Sequence, residues 1–306
     1  MPFLFCIYLA TPLTAILVER SAEDSAAIRG VTSIGDRLYV LHMRQDDQLS
    51  ELDARDLRLQ RRLSVPAEWR DEWRHLSDMA SCQRRRRLYV SHNVTNCVHV
   101  RELTADDEAW STWKTDGSPW GLSVTPDTGN VLVTLRYAGC VDEYAPDGRR
   151  LRRVDLSRSG AFSPWHAIQL GSLPFDAELL VVGHGDIMDE RARVGLMRVL
   201  GDGGTDGRRW YGGRPGGGEQ LLSRPQHLAV GRYGTVAVVD VFNDRVVLLD
   251  DELRRVAVVA GPECDRAAGW LTSRTCWVGR RLCVAEVQSP DHLRFTAARL
   301  SLYDLH

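Results

Sequence analysis

Apolar residues along this chain come in short bursts rather than in long helical stripes. Leu38-Tyr39-Val40, Leu88-Tyr89-Val90, Val131-Leu132-Val133, Leu180-Val181-Val182, Val236-Ala237-Val238 and Leu282-Cys283-Val284 are six such runs. Each is flanked by stretches in which apolar and polar residues alternate, and by Gly, Asp, Asn or Pro where the chain must turn. A period of two with β-branched enrichment predicts strands. Residues 225–260 show the pattern most clearly. Strands are predicted over 227–230, 235–239, 245–249 and 254–259, with turns between them.

This four-strand unit recurs. The phrases Ser118-Pro119-Trp120-Gly121-Leu122, Ser163-Pro164-Trp165-His166-Ala167 and Arg224-Pro225-Gln226-His227-Leu228 each open a unit, and units return about every 44 residues. Their starts fall near Gly30, Leu76, Pro119, Pro164, Pro225 and Gly269. Six units of four antiparallel strands predict an all-β fold, a six-bladed β-propeller. One interval is long, and it coincides with the glycine-rich residues 201–218, which contain Trp210 and Tyr211. Without G-K-[ST] or a following helix pattern this is no phosphate loop. It reads as a surface loop between units four and five.

The last unit is one strand short. Open sheet edges are a liability, so a propeller seals its first blade to its last. Residues 14–19 offer the missing outer strand, which would draw the apolar N-terminus into the fold. Residues 3–18 also resemble the apolar part of a signal peptide, although no basic residues precede them. Pro12, Thr11 and Thr14 break the stretch as a membrane span. The domain reading is thus an N-terminal apolar segment over 1–27, closing strand or signal-like, and a single propeller over 28–306.

Composition narrows the function only by exclusion. A net charge of -2 provides no global attraction to nucleic acid or to an anionic membrane. The seven cysteines include no C-x-x-C pair or metal spacing. Their odd number favours buried thiols in a reducing compartment, hence cytoplasm over secretion.

Unit five resembles a known repeat. Pro225-Gln226-His227-Leu228-Ala229-Val230, then Val238-Val239-Asp240-x-x-Asn243-x-Arg245-Val246 and Leu249-Asp250, is similar to the NHL repeat. Gly218-Glu219-Gln220-Leu221-x-x-x-Pro225 is similar to that family's glycine-containing linker. The match is close in unit five, fair in units three and four, and only patterned elsewhere. The resemblance implies a six-bladed propeller that serves as a recognition surface for protein or RNA, a few related propellers being metal-dependent lyases or hydrolases. It also implies that Asp240 and Arg245 brace the turn after the second strand. His42, His92, Leu135, His184 and Glu286 stand at the equivalent place in the other units. These histidines end second strands in separate blades, too far apart to share a zinc ion, so turn capping is their expected role.

Catalytic chemistry is hard to find. The amidating-lyase branch of such propellers carries a metal-binding His directly after the proline, where this chain has Trp120, Trp165 and Gln226. His166 and His227 come one residue later, which on a regular strand turns them to the other face, into the packing between blades. Asp78 is the one inner-strand carboxylate suited to a calcium site. No G-x-S-x-G or H-E-x-x-H motif occurs. Neither a cofactor, a metal site nor catalytic residues are therefore expected.

Tryptophan is the remaining signal. Trp69, Trp73, Trp120, Trp165, Trp210, Tyr211, Gln226 and Trp270 all fall at or just before predicted first strands, on the face formed by the loops entering those strands. Aromatic side chains with few conformers anchor interfaces. The opposite face carries Arg84, Arg85, Arg86 and Arg87, a possible phosphate-binding run. The expectation is a monomeric, non-enzymatic module binding a protein partner through the tryptophan-rich face, with no membrane association. The alternatives are a metal-dependent lyase or hydrolase working in the central channel, or RNA binding through the arginine rim.

Overall fold

In a computed structural model of the chain, the described residues are 14–20, 27–42, 49–66, 69, 75–103, 109–160, 163–170, 179–185, 192–213, 222–260, 270–289 and 297–305. They form six four-stranded antiparallel sheets. First strands of consecutive sheets pack beside one another, and the first strand of blade six returns to that of blade one, closing a ring around a central axis. This is a six-bladed β-propeller. No helix among the described residues is long and apolar enough to cross a membrane.

The second strands explain the packing. They are buried on both faces, so they read as continuous apolar runs. In blade one, Leu38 and Val40 face blade six, while Tyr39 and Leu41 face blade two. In blade two, Leu88 and Val90 pack toward blade one and Tyr89 toward blade three. Six apolar clusters result, one in each gap between blades. The outer strands are wetter, Leu59–Arg62 being exposed throughout.

Thr14–Arg20 pairs antiparallel with Ala297–Asp304 and completes blade six as its outermost strand. The expected strand over 14–19 is therefore present, and the two ends of the chain share one sheet. Residues 1–13 lie outside the described residues. The glycine-rich stretch is corrected in part. Thr205–Gly212 is not loop but the outer strand of blade four, paired with Arg193–Val199.

One irregularity repeats in all six blades. Near its start each first strand slips register by one residue against the second strand, between Ile28 and Gly30, Leu76 and Asp78, Pro119 and Gly121, Pro164 and His166, Pro225 and His227, and Thr272 and Arg274. Each slip is a β-bulge, which leaves one residue unpaired and re-aims its neighbours. The extra residues are Arg29, Ser77, Trp120, Trp165, Gln226 and Ser273.

Candidate functional site

The residues that follow the bulges, Gly30, Asp78, Gly121, His166, His227 and Arg274, occupy one level around the axis. His166 and His227 are thereby corrected. A regular strand would turn them into the packing between blades, but the extra residue reverses the alternation and both meet Asp78. His166 Nε2 lies 3.3 Å from Asp78 Oδ2, and His227 Nε2 lies 3.6 Å from Asp78 Oδ1. The two imidazoles are tilted on each other with ring centroids 4.5 Å apart. Arg274 Nε stands 3.4 Å from Asp78 Oδ1, and its terminal nitrogens donate to the Ser77 and Ser273 carbonyls at 2.8 Å. All four side chains are buried.

Blades three and one make the meeting possible by contributing no side chain. A Cβ on Gly121 would stand 2.5 Å from the Trp165 carbonyl oxygen and 2.9 Å from His166 Cδ2. One on Gly30 would stand 2.5 Å from Met79 Cβ. The next residue after Gly121 adds a contact, since Leu122 N donates to Asp78 Oδ2 at 2.9 Å and Leu122 O lies 2.9 Å from His166 Nε2.

Burial alone would raise the Asp78 carboxyl, but His227, His166 and Arg274 outweigh it and hold the group at about 2. Burial pushes His227 well below its usual range, with proximity to His166 adding to the effect. Burial and charge thus oppose each other at this centre, which favours the carboxylate of Asp78 and disfavours the imidazolium of His227. Arg29 is lowered to about 10 by burial and by repulsion from Arg274 and Arg224.

At the same end of the channel as the bulges, aromatic and cationic groups interleave. The Trp165 indole lies between two guanidinium groups, Arg136 at 3.6 Å and Arg224 at 4.4 Å from its ring centroid. Trp165 Nε1 donates to Gly185 O at 2.8 Å, which fixes the ring. Trp120 meets Trp165 edge-on at 5.3 Å and Tyr137 at 5.9 Å. Arg224 also stands 5.6 Å from the Phe242 ring centre. Tyr137 is 75% exposed. Tyr137 and Phe242 come from the connections between second and third strands, and nothing in their sequence spacing marked them.

The other tryptophan-face residues do not join this group. Trp69 is 1% exposed and packs in the gap between blades one and two against His99 and Trp110. It is core, not surface. Trp210 and Tyr211 lie in the outer strand of blade four. Trp210 is covered by Arg193 at 3.6 Å, and Tyr211 is buried. Trp270 is buried beneath Arg299 at 4.1 Å. Gln226 is the bulge residue of blade five, equivalent to Trp120 and Trp165. Trp73 lies outside the described residues.

The histidine column behaves as turn braces. His42 Nε2 meets Ser50 Oγ at 3.0 Å, His92 Nδ1 pairs with the Thr95 hydroxyl, and His184 Nε2 accepts from Arg193 Nε at 3.3 Å. Asp240 accepts from Arg245 and Asn243, as does Glu286 from Arg299 and Ser301. Arg84, Arg85 and Arg86 occupy the turn between the first two strands of blade two, at the opposite end of the blades, and Arg87 opens the second strand, where it pairs with Glu102.

No family model matches the chain, and no curated protein matches it. Solved structures do. A streptogramin B lyase is similar with a TM-score of 0.58 and 13% identity, over 96% of this chain and 88% of that one. A virginiamycin B lyase from Staphylococcus aureus follows at 0.55 and 12%, over 96% and 89%. The β-propeller domain of Cps50 (Swd1) from Myceliophteria thermophila matches at 0.55 and 10%, over 95% and 100%. At these identities the likeness is one of fold, and the class it defines is the six-bladed β-propeller. Two of these structures are lyases by name and the third is a β-propeller domain, so fold does not choose among functions.

Proposed function

We propose that the chain is a non-enzymatic recognition module of NHL-like repeats that binds a protein partner at the mouth of its central channel. The observation that carries this reading is exposed Tyr137 and half-buried Trp120, backed by the buried Trp165 and interleaved with Arg136 and Arg224. Tryptophan, tyrosine and arginine are the side chains in which interface energy concentrates. Here Trp165 is held in place from both sides, so little conformational entropy is lost when a partner docks over its neighbours. Exposed Tyr137 supplies the leading edge of the contact. A propeller scaffold supports such a surface because loops on one face converge on the axis.

The test is a displayed random-peptide library selected on the intact protein and scored again on Trp120→Ala and Tyr137→Ala. Peptides enriched on the parent are expected to lose at least about tenfold in affinity on either variant, since removing an anchor costs more than 1.4 kcal/mol. Enriched peptides that bind both variants as tightly as the parent would sink the reading.

A second reading, a metal-dependent lyase or hydrolase with its site in the channel, is favoured by one observation, the meeting of Asp78, His166 and His227 on the axis. Two of the similar structures are lyases by name. Buried carboxylates and imidazoles in one place are the usual equipment of acid–base and metal-assisted chemistry.

A further inference from the structure

We propose that Asp78, His166 and His227 form a three-ligand site for a divalent first-row transition metal, zinc in the first instance. The three residues come from blades two, four and five, and their candidate ligand atoms all lie within 4.8 Å of one another. The two imidazole nitrogens stand 3.3 Å and 3.6 Å from the nearer carboxylate oxygens. Ligands of a tetrahedral zinc, each bonded at about 2.0–2.1 Å, stand about 3.3 Å apart, and loading the site releases His166 Nε2 from the Leu122 carbonyl, 2.9 Å away.

An unpartnered atom points the same way. Asp78 Oδ1 is buried and accepts no hydrogen bond, although its partner Oδ2 is held by Leu122 N. A buried carboxylate oxygen without a donor calls for an explanation, and an ion is one. Arg274 does not supply the bond. Its Nε makes an ion-pair contact with Oδ1 at 3.4 Å but not a well-formed hydrogen bond, while its terminal nitrogens are committed to the Ser77 and Ser273 carbonyls. It stands beside Oδ1 as a fixed charge that orients the carboxylate.

The donor set selects the metal class. Two imidazoles and one carboxylate suit zinc, iron or cobalt, whereas calcium and magnesium take oxygen ligands. Three protein ligands leave a fourth position for water or a bound group. Gly30 and Gly121 put no side chain at that level, so the open position is not filled from blades one or three. The site goes beyond the recognition reading, and it supplies the metal on which the lyase or hydrolase reading rests. Its test reads metal content, so it can succeed or fail apart from peptide binding and apart from catalysis.

The full chain, freed of any polyhistidine tag, is stripped with EDTA, dialysed, loaded separately with Zn(II), Co(II) and Ca(II), desalted and assayed by mass spectrometry. About one equivalent of zinc or cobalt and no calcium is expected, with zinc raising the thermal midpoint of the stripped protein. Asp78→Asn and His227→Gln are expected to lose the equivalent. Should a variant fail to fold, X-ray absorption of the zinc-loaded parent decides instead, two imidazoles and oxygen ligands being the expected shell. Retention below about a tenth of an equivalent of zinc and cobalt would overturn the site and leave Asp78 as the counter-ion of Arg274. Calcium binding alone, undiminished zinc in both variants, or a cobalt–thiolate band placing the ion at Cys97 and His99 would overturn it equally.

Discussion

His99 is wedged between the Trp69 ring, 4.7 Å away between centroids, and the outer strand of blade two, where its Nδ1 meets Thr112 Oγ1 at 2.9 Å. Burial, then the neighbouring His92 and Lys114, lower it from 6.5 to about 4. Because the folded value lies below the unfolded one, the unfolded chain binds more protons between them. The stability that His99 contributes is complete above 6.5 and is lost as pH falls through that window toward 4. The slope is at most about 1.4 kcal/mol per pH unit for one such group. Urea unfolding between pH 7 and pH 4.5 is expected to show the midpoint falling, and His99→Gln is expected to flatten the fall. His227 is shifted in the same direction, so part of the slope will remain. An unchanged slope in the variant would mean that His99 is not buried neutral. None of this was legible from residue types, because burial of this histidine depends on Trp69, which the connection between blades one and two brings against it.

At the level of the strand, the bulge decides the site. A one-residue insertion into a regular ladder changes which face every neighbouring side chain occupies. The alternation of apolar and polar residues locates the first strands, but pairing against the second strand determines where the extra residue falls. That is why the reading of His166 and His227 failed while the reading of the strands themselves held. Gly121→Ala tests the packing that results. Its new Cβ would stand 2.5 Å from the Trp165 carbonyl oxygen and 2.8 Å from His166 Cα, backbone on which nothing can give cheaply. A loss of about 1–3 kcal/mol is expected in chemical denaturation. Gly117→Ala is the control, because its Cβ would meet only Leu135 Cδ1 at 3.6 Å, an ordinary contact. A stability change within about 0.5 kcal/mol is expected there. Equal effects at the two glycines would show that the approach of blades three and four is looser than these distances.

Across the whole molecule, closure rests on the pairing of Thr14–Arg20 with Ala297–Asp304. Removing residues 1–20 would leave the outer edge of blade six without its hydrogen-bonding partner, and an exposed edge pairs with other chains. The truncated protein is expected to melt at lower temperature and to elute as concentration-dependent oligomers in gel filtration. A monomer with an unaltered thermal midpoint would show that the strand is dispensable for closure.

Six recurring apolar runs were enough to establish strand content and blade number, because period-two patterning and turn residues are local properties of the chain, whereas the choice between closing strand and signal-like segment for residues 14–19 came from their pairing with Ala297–Asp304. The bracing role of Asp240 with Arg245 was implied by the resemblance to the NHL repeat, and the pair does meet within one turn. Tertiary structure alone decided which tryptophans are surface. Trp69, Trp165 and Trp270 became buried, while half-buried Trp120 and exposed Tyr137 met at the channel mouth beside Arg136 and Arg224. It alone also gathered Asp78, His166, His227 and Arg274. Those contacts join four blades through six register slips and two glycines, and they exist only once the ring has closed on itself.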